Sequence, residues 1–215
     1  MKIYVYTLVH DAGFAPNPYH GYCTLACCKP IIRKIAEVGD WIVGITPRAH
    51  GSRLVYAMNV NETLPFEKYW VDPRFIDKKP KWKSEDPVQR SGDNIYKYSG
   101  HAKFTQLPSR HWDSKCNQPD LNQMKIDLSG KYVLISKKYS YFGQNTQPIP
   151  ANLLSIMRPA RGHRVNFKPE HHQLILDYLE SLPLGIHGYP QDFDKYRDKT
   201  CKSRKVKTRH SHIVC

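Results

Sequence analysis

The chain has 215 residues, with 33 Lys plus Arg against 19 Asp plus Glu and a formal net charge of +14. That length suits one domain with its own core and no need of disulfides, and no stretch approaches the ~18 consecutive apolar residues of a membrane helix. The opening Met1–His10 is too short and too aromatic for a secretory leader, so a cytoplasmic protein with reduced cysteines is expected, and its charge points to a polyanionic partner, nucleic acid or a nucleotide, and to no membrane.

Ile3–Val9, β-branched and aromatic, reads as a central strand. Pro30 stands at a first helical position, with Ile31, Ile32 and Ile35 forming an apolar face behind it. Strands follow over Trp41–Ile45, Leu54–Val60 and, briefly, Asn94–Tyr98. Pro65 opens a short turn carrying Phe66, Tyr69 and Trp70. Between Val71 and Leu128 the chain is polar and rich in Pro, Lys, Asp and Asn; a connection this long is functional or mobile. Tyr132–Ser136 and Tyr139–Phe142 suggest a hairpin across Lys137-Lys138. Helices are expected over Ile149–Met157 and Pro169–Leu182, the second with Leu174, Ile175, Tyr178, Leu179 and Leu182 on a buried stripe.

This pattern predicts an α+β fold, a small mixed β-barrel with inserted helices and not a doubly wound sheet. Residues 1–182 read as a single domain. Residues 183–215 read as a basic tail, where lysines and arginines outnumber acids and little apolar surface is left to pack.

Standard catalytic signatures are missing: there is no phosphate-binding glycine-rich loop, His-Glu-x-x-His helix, zinc-deaminase pattern or Gly-x-Ser-x-Gly elbow. Three segments carry chemistry instead. The first, His10–Arg33, crowds Asn17, Tyr19, Tyr22, Cys23, Thr24, Lys29 and Arg33 beside a helix start. There backbone N–H groups and two cations suit a phosphate or a base carbonyl, and the tyrosines can stack on a base; the same side chains would equally fill a core. Cys23 is a candidate nucleophile, since a helix start favours a thiolate. Cys23, Cys27 and Cys28, with His20 or Cys116, are the possible metal ligands, but Cys23-x₃-Cys27 is one half of a zinc pattern without its second half, so neither metal nor cofactor is expected.

In the second segment, Lys78, Lys79, Lys81 and Lys83 surround Trp82, which fits either a backbone-tracking loop with a stacking platform or a solvated charged loop. The third places Arg161, His163 and Arg164 around Gly162, a fork for a phosphate or base edge, or a plain surface turn. His163 also suits acid/base work. Most remaining histidines, His111 among them, read as surface or core fillers.

Five blocks in a fixed order resemble the second type of nucleotide-modification-associated domain: Gly13–Gly44, Arg53–Phe75, Gly92–Tyr96, Val133–Gly143 and Arg161–Phe167. The resemblance runs from Ile3 to about Leu182 and implies a bacterial or phage protein tied to DNA-base modification, without an established reaction. More loosely, the order of strands, with Val-Gly-Asp-Trp-Ile-Val-Gly and Leu-Val-Tyr-Ala-Met-Asn-Val, is similar to PUA-like barrels of the EVE and YTH type. That likeness implies an aromatic-lined pocket between the Asn17–Lys29 loop and the Trp41 strand, with Tyr19, Thr24 and Trp41 nearest a bound base. The Lys-Ser-Glu-Pro stretch of EVE domains is missing, and His10-Asp11 occupies its place.

Two functions compete. One is a module that binds a modified or flipped base, on DNA ahead of RNA, in a DNA-modification or phage-defence setting. The other is an enzyme modifying a base or nucleotide in the same pocket, with Cys23 as nucleophile, His10 or His163 as acid/base and Asp11 or Asp93 as orienting carboxylate. A blander third is an interaction subunit serving a partner DNA-modification enzyme.

Overall fold

A computed structural model describes residues 1–160 and 162–192; the expectations for Arg161 and for the segment from Phe193 onward lie outside them. Its elements are β1 (Ile3–Thr7), β2 (Cys23–Leu25), α1 (Pro30–Ile35), β3 (Trp41–Ile45), β4 (Leu54–Asn59), β5 (Glu62–Pro65), α2 (Phe66–Val71), α3 (Pro87–Arg90), β6 (Tyr96–Tyr98), β7 (Phe104–Gln106), α4 (Leu121–Leu128), β8 (Tyr132–Ser136), β9 (Lys138–Tyr141), α5 (Ala151–Met157), β10 (His163–Arg164), α6 (Pro169–Glu180) and β11 (Gly185–Ile186).

The α+β class is present, but not the closed barrel. The main sheet is open, in the order β10-β1-β3-β4-β9-β11, and a second sheet runs β2-β8-β5. β1 and β3 are parallel, with Ile3 opposite Trp41, and both β1–β10 and β3–β4 are antiparallel. Residues alternate across each sheet, as the two-residue strand period requires. Ile3, Val5, Trp41 and Val43 pack with Leu153, Met157, Ile175 and Leu179 of α5 and α6. Tyr4, Tyr6 and Ile42 face the other way, toward Cys23, Leu25 and Leu134 of the second sheet. That sheet's outer face, through Val133 and Ile135, meets Phe66, Tyr69, Phe75 and Tyr96. With both faces of the main sheet covered by separate layers, its apolar surface is buried without closure.

The expected hairpin across Lys137 is instead a change of sheet. β8 belongs to the second sheet and β9 to the first; Asn61 Oδ1 accepts from both Lys137 N–H (2.7 Å) and Lys138 N–H (3.2 Å) and holds the crossing. The polar stretch after Val71 is folded, through Phe75, Ile95 and Tyr96, onto the outer face of the second sheet. The packed body also passes the expected boundary at Leu182: β11 pairs with β9, and Asp192 N–H donates to Asp11 O at 2.7 Å. Gly143, at φ 55°, lets this return segment close in, since a Cβ there would stand 2.1 Å from Tyr189 O. Among the described residues no helix is long and apolar enough to cross a membrane.

Candidate functional site

Between β2 and α1 the chain turns through Cys28 and Lys29, both at positive φ (59° and 41°). Non-glycine residues there carry strain of roughly 1–3 kcal/mol each, so the surroundings must enforce the turn. Arg33, fully buried, does so: Nε donates to Cys28 O (2.7 Å), Nη1 to Tyr132 O (2.9 Å) and Nη2 to Asp127 O. Gly130 makes room for it, because a Cβ there would lie 2.5 Å from the guanidinium. From the other side, Cys28 N–H donates to Asp127 Oδ1 at 2.8 Å.

The turn presents the Cys28 thiol to His111, with Sγ 3.5 Å from Nε2. The second ring nitrogen of His111, Nδ1, lies 2.6 Å from Asp127 Oδ2, which also accepts from Tyr96 OH at 2.6 Å. Phe14 meets the imidazole edge-on, centroids 4.8 Å apart, and fixes its plane. Asp127 is fully buried, the His111 side chain is 16% exposed and Cys28 is partly exposed. Thiol, imidazole and carboxylate thus stand in the order of a nucleophile, its base and an orienting group.

Burial opposes charge on His111, but the bonds to Asp127 and Cys28 more than offset it and carry its pKa up to about 10. Burial likewise opposes charge on Asp127, yet hydrogen bonds from His111, Tyr96 and Cys28 N–H hold its carboxyl below the usual range. Cys27 Sγ, His111 and Asp127 also bring possible ligand atoms within 4.8 Å of one another. His111 and Asp127 spend their facing atoms on each other, and Arg33 stands 4.0 Å from Asp127 Oδ1. A cation beside a buried guanidinium would be repelled, so this set does not fit a divalent metal.

The expected base pocket is filled. Asn17, Tyr19, Cys23, Thr24, Arg33 and Trp41 are all buried, and only Tyr22 and Lys29 of that group keep appreciable exposure. Trp41 packs on the helix-covered face of the main sheet, while Thr24 lies in the second sheet, so the two do not converge. Cys23 is sealed in the core and burial pushes its thiol well up, which removes it as a nucleophile. Asp11 is buried against Tyr141 OH (2.7 Å to each carboxylate oxygen), and His10, 70% exposed, faces Asp192 at 3.6 Å. His163 sits on edge strand β10 beside Lys29, with its pKa lowered by burial and by that cation.

Lys78 is not a surface cation. It is fully buried and donates to Asn17 Oδ1 (2.7 Å), Asn17 O (3.1 Å) and Tyr22 O (2.9 Å), tying the loop after β1 to the 71–95 excursion. Asp93 stands in the same buried cluster and accepts from Thr24 Oγ1 (2.6 Å) and Tyr69 OH (2.7 Å). It is a strut, not an orienting carboxylate for Cys23. Lys79 lies over the Trp70 ring at 3.9 Å, while Lys81 and Lys83 are exposed and Trp82 is half-buried above a shallow cleft with Leu107 and Pro108. Arg164 lies over Phe167 and donates to Arg158 O at 3.4 Å.

His111 makes a pH prediction. Its folded pKa, about 10, exceeds the unfolded value near 6.5, so its contribution to stability is complete below pH ~6.5 and is lost as pH rises toward 10. Burial lowers the Lys78 pKa to about 8, and above that pH its titration acts in the opposite direction. The clean window is therefore about pH 6.5 to 8. There the melting temperature should fall with rising pH in the wild type, and His111→Gln should flatten the slope; equal slopes in both proteins would contradict the assignment.

Sequence reasoning missed His111 and Asp127 and weighed Cys28 only as a metal ligand. The one local signal is at α4, where the Asp120 side chain caps Gln123 N–H and opens a helix with Leu121, Met124 and Leu128 spaced along one stripe; Asp127 rides on that helix. No curated protein and no solved structure matches the chain. A family model described as nucleotide modification associated domain 2 matches residues 1–197, and the chain belongs to that family.

Proposed function

We propose that this protein is an enzyme of nucleotide or nucleobase modification that works through a covalent intermediate on Cys28. The observation that carries this reading is the Cys28–His111–Asp127 line, at 3.5 and 2.6 Å, on a strained and braced turn. With its pKa at about 10, His111 is an imidazolium at neutral pH and already holds the thiol proton, so Sγ attacks an electrophilic carbon of the nucleotide as the thiolate. As the S–C bond forms and the bond to the leaving group breaks, His111 Nε2 gives its proton to that group. Water or an amine, deprotonated in turn by His111, then attacks the same carbon and releases the thiol. Asp127 stabilises the imidazolium throughout, and Arg33 positions Cys28 without touching the reacting atoms.

Carboxamidomethylation by iodoacetamide, followed residue by residue by mass spectrometry, tests the nucleophile. At pH 7 Cys28 should react at least about tenfold faster than exposed Cys116, and His111→Ala should remove that lead. If Cys28 is no faster than Cys116, the enzymatic reading fails. The second reading, a reader that binds a modified base without chemistry, would then be favoured by the Trp82 cleft flanked by Lys81 and Lys83.

A further inference from the structure

β1 and β3 run parallel, and beyond their carboxyl ends, at Thr7 and Ile45, lies a cleft of about 510 Å³. Thr7, Pro47, Arg48, Ser52, Ser155 and Arg158 line it, and among the described residues no carboxylate does. The Arg48 and Arg158 side chains make no hydrogen bond or ion pair with any described residue, and Arg158 Nε is buried without a partner. A buried guanidinium N–H left unmatched is unfavourable, and two guanidiniums facing one cleft repel each other until an anion enters. Their forked donors match phosphate oxygens, and the two serines add hydroxyl donors. The position is also the one where open sheets with parallel strands hold ligands.

One contact ties the wall of the cleft to the turn that carries the thiol. Thr7, on its wall, accepts a 3.5 Å hydrogen bond from Lys29 Nζ through its carbonyl, and Lys29 directly follows Cys28. That ammonium lies over the Tyr6 ring at 4.3 Å, with Thr7 O its one hydrogen-bond acceptor among the described residues. Its remaining donors are free for a ligand spanning cleft and thiol.

We infer that the cleft holds a phosphate group of the substrate, with the attached base directed across Lys29 toward Cys28. The phosphate belongs to a free nucleotide or to a DNA strand; both present the same oxygens. Placement of the base rests on the thiol reading above, but phosphate binding does not.

Calorimetric titration with thymidine 5′-monophosphate, thymidine, inorganic phosphate and a short oligothymidylate tests this. The monophosphate should bind at least about tenfold more tightly than thymidine, a difference readily resolved by calorimetry. Arg48→Ala and Arg158→Ala should each weaken it, and Ser155→Asp, an exposed substitution that brings a carboxylate to the cleft, should abolish it. In all three variants Cys28 alkylation should stay at the wild-type rate. Whichever of the monophosphate and the oligothymidylate binds tighter identifies the source of the phosphate. Equal binding of thymidine and its monophosphate, or wild-type affinity in the arginine variants, would overturn the phosphate site whatever Cys28 does. A phosphate site that survives beside an unreactive Cys28 would sink only the thiol reading.

Discussion

Asp127→Ala is expected to destabilise the protein by roughly 3–5 kcal/mol and to remove the reactivity of Cys28. The carboxylate is fully buried and accepts from His111, Tyr96, Cys28 N–H and, at 3.3 Å, Gln123 Nε2, with the Arg33 guanidinium beside it. Its loss leaves a buried guanidinium and imidazole without their countercharge and frees the strained turn. Urea denaturation gives the stability change, and alkylation gives the reactivity. Asp127→Asn separates the two effects, because an amide still accepts from Cys28 N–H but carries no charge for His111. That variant should remain folded with Cys28 slowed to the level of Cys116. A stability change below ~1 kcal/mol for Asp127→Ala would contradict the central place given to this carboxylate.

Lys78→Met should be nearly as damaging, at roughly 3–5 kcal/mol, without touching the thiol directly. The ammonium bridges two acceptors on Asn17 and one on Tyr22, and methionine fills its volume while removing all three bonds, so that Asn17 O and Oδ1 keep only the donors of Thr24 and Tyr19 and Tyr22 O loses the ammonium. It would also leave Asp93, whose carboxyl is already held up by burial, without the cation that lowers it. A double-mutant cycle isolates that part: in an Asp93→Asn background Lys78→Met should cost measurably less. Additive effects would mean that Lys78 acts through the carbonyls alone.

Much of the framework is legible locally. β1, β3, β4, β8 and β9, and helices α1, α5 and α6, lie close to their expected spans, because alternation and apolar stripes are properties of short windows. The short strands β2 and β5 escaped because three or four residues give too little periodicity, and β8–β9 misled because a change of sheet has the same local pattern as a hairpin. The site escaped for a different reason. Cys28, His111 and Asp127 are brought together only because α4 and the loop before it fold back beside α1, and no spacing rule encodes that approach. Buried polar residues misled in the opposite direction: Asn17, Thr24, Lys78 and Asp93 are the polar types expected at a ligand site, but here they satisfy one another.

The return of the chain from β11 to Asp192 also governs how the protein can be dissected. Asp192 N–H bonds to Asp11 O, and its Oδ2 accepts from Asp11 N–H at 3.2 Å, so the far end of the packed body buttons onto the loop that leaves β1. A truncation at Leu182, where composition alone would place the cut, removes an edge strand and unfastens that loop. Lost nucleic-acid affinity in such a protein would report a damaged body as readily as a missing basic segment. A stop after Asp192 keeps the fastening and removes the remaining cations, and is the cut that can separate the two.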